Sequence, residues 1–154
     1  MAILSLTARR PIAALWFAAF AALATFVFFF RLEMAPHAMI LYVVLPFLAA
    51  GIAGFLWGGP ILDPSRVQTC GRSALRGSMI GAATFVIFAV FYACELPMLE
   101  GQWSLGNVAS LFLLTLMFGI IMGGPLAVLS GMAAGVTLFK FGRHFFANHG
   151  EPTS

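Results

Sequence analysis

Residues 108–139 read VASLFLLTLMFGIIMGGPLAVLSGMAAGVTLF, a stretch without one charged side chain. As straight helix it would extend about 48 Å, against about 30 Å of bilayer hydrocarbon. Three further apolar runs precede it, at 12–30, 38–59 and 78–98, each at or near the length of about 20 residues that a helical crossing requires. The breaks between them hold nearly every charge. Of the 154 residues, 62% are hydrophobic and 8% charged. A soluble domain carries roughly 25% charged residues, so this inventory cannot cover a water-exposed surface. The expected fold is an all-α membrane protein, a four-transmembrane-helix bundle forming one domain, with residues 140–154 as a polar tail.

The 32-residue run is long for one crossing. Its Gly123-Gly124-Pro125 step offers a resolution, because proline removes a backbone donor and clashes with the preceding turn. The sequence predicts one continuous fourth helix, kinked near Pro125. Thr115, Gly119, Gly123, Ala127, Gly131 and Gly135 recur in it at every fourth position. Small residues let helix backbones approach closely in lipid, so this row is expected to pack helices within the bundle or between copies.

Orientation follows from the cations. Arg9 and Arg10 precede the first span, Arg66, Arg72 and Arg76 separate the second from the third, and Lys140 and Arg143 follow the fourth. With four spans all seven fall on one side and Arg31 alone on the other. Lys and Arg mark cytoplasmic loops, so both termini are expected in the cytoplasm. The first run is read as a retained span, since it is longer than a secretory apolar region of about 7–15 residues. The Arg-rich set fits a bacterial inner membrane. The net charge of +3 is read as topology, with no nucleic-acid partner implied. Arg66, Arg72 and Arg76 are expected to face anionic lipid, at about 1 kcal/mol per residue. Asp63-Pro64 reads as the start of a short surface helix bearing them.

The two halves share wording. Ala24-Thr25-Phe26-Val27 recurs as Ala83-Thr84-Phe85-Val86, and Gly54-x3-Gly58-Gly59-Pro60 recurs as Gly119-x3-Gly123-Gly124-Pro125. Such matches suggest two parallel two-helix repeats.

Chemistry rests on few residues. Glu95 lies inside the third apolar run, near the outer edge of the hydrocarbon, where an ionisable group suits proton or cation handling. It could equally pair with Arg31, and Glu33 ends the first span in a similar position. The turn around Glu33, Met34, His37 and Met39 contains soft donors, but Pro36 accounts for it as a tight connection, and no metal site is assigned. Cys70 and Cys94 are a helix length apart and expected to stay free. No phosphate loop, HExxH or Gly-x-Ser-x-Gly motif is present. The reading is a non-enzymatic membrane subunit or accessory protein without cofactor, forming a homo-oligomer or joining another membrane protein. A small transporter or channel using Glu95 is the alternative.

Overall fold

The computed structural model describes residues 6–30, 36–63, 69–99, 101 and 103–149, and is helical through most of them. Five helices follow in order: α1 (Leu6–Phe30), α2 (Pro36–Trp57), α3 (Cys70–Leu99), α4 (Leu105–Met122) and α5 (Gly124–His149). A short 3-10 turn, Gly59–Leu62, follows α2. Thr69 begins α3, its hydroxyl accepting from the Arg72 amide at 3.3 Å. Gly101, with φ of 67°, turns the chain beyond α3, and Ser104 caps α4 by accepting from the Asn107 amide. Among the described residues, three helices contain stretches long and apolar enough to cross a membrane: Arg9–Phe28, Cys70–Met98 and Gly124–His144. The chain is an all-helical membrane protein.

The boundaries depart from the sequence expectation in three places. The run 108–139 forms two helices that meet at Gly123, where one continuous helix was expected. The Gly123 amide still donates to the Gly119 carbonyl at 2.7 Å, and the Ala127 amide to Gly123 at 2.9 Å, so the interruption is one residue wide. Pro125, which has no N–H to donate, occupies the first turn of α5, the position that tolerates proline best. At the chain's end α5 continues to His149, so residues 140–149 are helix where a tail was expected. Before the third run, α3 begins at Cys70 and carries Arg72 and Arg76 on its first turns; Arg66 and the rest of 64–68 lie outside the described residues.

Two antiparallel helix pairs make up the bundle, and small residues join each. In the first, a Cβ on Gly54 of α2 would lie 3.0 Å from the Ala13 carbonyl oxygen and 3.1 Å from Ala14 Cα on α1. A Cβ on Gly58 would lie 2.7 Å from that of Ala13. In the second pair the backbones touch more closely. A Cβ on Gly77 of α3 would overlap the Gly131 carbonyl oxygen of α5, and one on Gly81 would overlap that of Ala127. The contact is reciprocal: a Cβ on Gly131 would overlap the Gly77 carbonyl oxygen, and one on Gly135 would sit 2.5 Å from the Ser73 carbonyl oxygen. The small-residue row of α5 therefore packs against α3 inside the chain. Further along, Gly119 of α4 leaves room for the Phe85 ring.

The pairs meet in a core of Ala13 and Phe17 from α1, Ala50 and Ala53 from α2, Ile80 from α3, and Ala134 and Leu138 from α5. Trp16 Nε1 donates to Thr137 Oγ1 at 3.1 Å and ties α1 to α5. The α4 helix differs from the rest. None of its described side chains is buried, and Leu105, Met117 and Ile121 are each more than two-thirds exposed.

The α3–α5 contact predicts a sharp contrast between glycines. Gly131→Ala should lower the thermal stability of the detergent-solubilised protein by about 1–3 kcal/mol, the usual cost of overpacking. Gly106→Ala, where a Cβ meets nothing within 4 Å, should leave it unchanged or slightly raised. Equal melting temperatures for the two variants would refute the packing.

Candidate functional site

The bundle holds a cavity of about 220 Å³ at the meeting of α1, α2, α3 and α5, with Gly123 of the α4–α5 joint on its wall. Its surface is overwhelmingly apolar. Phe17, Phe20, Phe28, Tyr42, Phe85 and Phe88 supply rings, and Ala21, Ala24 and Ala50 keep it open by being small. Three hydroxyls also reach the wall, from Thr25, Thr84 and Ser130. Each donates its proton to its own helix: Thr25 to the Ala21 carbonyl at 2.7 Å, Thr84 to Ile80 at 2.8 Å and Ser130 to Ala127 at 3.1 Å. Such back-bonding is how hydroxyls are satisfied where no water competes. It leaves their oxygens, not their protons, toward the space.

Above the cavity, Tyr42 of α2 stacks on Tyr92 of α3 with ring centroids 6.3 Å apart, and Phe88 stacks on Tyr92 at 6.0 Å. Glu95 follows one turn later on α3. It is half-buried, and its Oε2 atom is buried without a hydrogen-bond partner among the described residues. Arg31 and Glu33, the other two charged candidates at this end, lie outside the described residues.

The opposite end of the bundle gathers the cations. The beginnings of α1 and α3, the 3-10 turn and the end of α5 converge there. Arg9 Nη1 pairs with Asp63 Oδ1 at 3.5 Å, the side chains 12% and 20% exposed. Arg76 Nη1 donates to the Pro60 carbonyl at 3.4 Å, and the Arg143 guanidinium lies 5.9 Å from the Phe139 ring centroid. Arg10, Arg72 and Lys140 are exposed around them, and Arg66 lies outside the described residues. Asp63 closes the 3-10 turn and holds Arg9 in an ion pair, and residues 64–68, where a surface helix was expected to begin, lie outside the described residues. Cys70 is exposed at this end, Cys94 is half-buried further along α3, and both are free.

The repeated segments separate into two kinds. Thr25 and Thr84 occupy like positions: both are nearly buried, both line the cavity and both bond back four residues. The Gly-Gly-Pro segments do not. Gly58 packs on Ala13 near the cationic end, whereas Gly123 lines the cavity beside Phe85.

Sequence reasoning named Glu95 and the glycine row but did not find the cavity, nor the Arg9–Asp63 pair. The threonines inside two apolar runs were the available signal. No protein-family model, curated protein or solved structure matches this chain.

The Arg9–Asp63 pair yields a stability prediction. Asp63→Asn removes the counter-charge from a mostly buried guanidinium and should cost about 1–3 kcal/mol. Thermal unfolding in detergent reads the change; an unaltered melting temperature would mean that solvent and lipid already satisfy Arg9.

Proposed function

We propose that this chain is a four-pass, non-enzymatic membrane subunit or accessory protein of a bacterial inner membrane, with both termini cytoplasmic. α1, α2 and α3 are the first three crossings, and α4 and α5 together form the fourth, bent at the Gly123 joint. The clustering of Arg9, Arg10, Arg72, Arg76, Lys140 and Arg143 at one end supports this orientation, since cytoplasmic loops carry the Lys and Arg excess. The same rim suits anionic lipid headgroups.

The observation that carries the subunit reading is α4. It is an apolar helix of 18 residues with no buried side chain among those described. The other helices bury residues against one another, whereas α4 offers Leu113, Leu114, Met117 and Phe118 outward. A second copy or another membrane protein packing along α4 would give those side chains a protein neighbour. The small-residue row is not available for this contact, because α3 already covers Gly131 and Gly135. A transporter reading is favoured by one feature, the buried Glu95 oxygen without a hydrogen-bond partner among the described residues.

Two measurements test these readings. In a variant lacking both native cysteines, Gly101→Cys should react with a membrane-impermeant maleimide in intact cells. Native Cys70, kept alone, should react only after the inner face is opened. The reverse pattern would overturn the orientation. Native mass spectrometry after mild solubilisation should find a stoichiometric second subunit or a defined homo-oligomer, dissociated by Leu114→Trp or Phe118→Trp while the chain itself stays folded. A foreign subunit supports the accessory role, and a homo-oligomer alone moves the balance to transport. A lone monomer insensitive to both substitutions would remove α4 as an interface.

A further inference from the structure

The cavity has a definite electrostatic character, and it is independent of any partner on α4. Six aromatic side chains line it, and a ring that turns its face to a guest offers the negative part of its quadrupole. Its three wall hydroxyls have donated their protons to Ala21, Ile80 and Ala127, so they too present lone pairs. Among the described residues, no lysine, arginine or histidine lines it. Such a wall has little to offer an anion or a carbonyl-bearing guest, which require donors. An apolar body fits it, and so does positive charge.

The carboxylate stands in register with this wall. Gly81, Thr84, Phe85 and Phe88 line the cavity from α3, and steps of four and three residues lead on through Tyr92 to Glu95. Seven residues return a helix to nearly the same face, so Glu95 continues the cavity-facing stripe about 10 Å beyond Phe88. Helical side chains lean toward the helix N-terminus, which for Glu95 is the direction of the Tyr42–Tyr92 stack and the cavity. A buried carboxylate oxygen that finds no donor among the described residues is costly, and a bound cation would relieve it.

We propose that the cavity and Glu95 together form a binding site for a lipophilic organic monocation. The apolar body lies among the rings of α1, α2 and α3, and the charged end reaches past the tyrosine pair to the Glu95 carboxylate. The separation calls for a guest whose charge is offset from its apolar body by several carbon–carbon bonds. Hydrophobic burial supplies the affinity of the body, and the carboxylate supplies the preference for charge.

The test uses the full-length protein in lipid nanodiscs, with (4-phenylbutyl)trimethylammonium as the probe and its uncharged tert-butyl isostere as the comparison. Saturable binding is measured above the background of empty nanodiscs. The wild-type protein should bind the cation at least tenfold more tightly than the isostere. Glu95→Gln should abolish that preference while leaving isostere binding within about twofold. Ala24→Leu, which adds bulk to the wall without touching Glu95, should weaken both ligands at least fivefold. A wild-type protein that binds neither ligand, or binds both equally, overturns the proposal whatever the variants do. Preference retained in a folded Glu95→Gln variant overturns the assignment of the carboxylate. Undiminished binding in Ala24→Leu overturns the cavity as the seat of the apolar body.

Discussion

Backbone contact between α3 and α5 is the constraint on which the remaining architecture depends. Lipid tails are as apolar as the side chains they would replace, so helices gain little from merely hiding hydrocarbon. What they gain comes from close approach, and here Gly77 and Gly81 meet Ala127, Gly131 and Gly135 with no side chain between. The alternation of partners along the two helices fixes an antiparallel register to within one residue. It also fixes where the cavity opens. Gly81, Ala127 and Gly131 of this contact also line the cavity, together with Phe85, Phe88 and Leu126.

The first helix pair repeats the device more loosely. Ala13 and Ala14 stand where α3 has glycine, so a Cβ on Gly54 would meet the α1 backbone at 3.0–3.1 Å rather than overlap it as one on Gly77 or Gly81 would overlap α5. The two pairs are then joined by different means at different depths. Near the cationic end the link is polar, Trp16 to Thr137 and Arg76 to the Pro60 carbonyl, while Arg9–Asp63 ties α1 to the turn that follows α2. At mid-depth it is the alanine and leucine core. Beyond that lie the cavity and the stacked tyrosines, where rings touch across a gap. The links between the pairs thus change from polar to aromatic toward Glu95, whose buried Oε2 sits in the aromatic half.

Much of this was legible in the sequence, for identifiable reasons. The bilayer sets helix length, so apolar runs gave the helices, and the spacing of glycines gave the face that α5 turns to a neighbour. Which neighbour was beyond periodicity, because Gly131 facing α3 and Gly131 facing a second copy leave the same pattern. The joint at Gly123 was visible as a proline step, but the choice between a kink and a one-residue interruption depends on local hydrogen bonds that composition does not encode. Asp63 illustrates another limit. An Asp-Pro step reads locally as a helix start, and only tertiary structure brings Arg9, more than fifty positions earlier, against it. The cavity was illegible for a similar reason, since its wall is drawn from four helices and contains residues that each look like ordinary membrane-span filler.

The most direct test of the α3–α5 contact is an electron–electron distance measurement in lipid nanodiscs, with spin labels on Gly71→Cys and Lys140→Cys and both native cysteines replaced. The two sites are exposed and lie at the same end of the paired helices. With helix axes about 8–10 Å apart and label arms added, the account predicts one narrow distribution near 20 Å, which broadens and lengthens when Gly131→Leu is added. A distance well beyond 30 Å, or a distribution indifferent to Gly131→Leu, would contradict it.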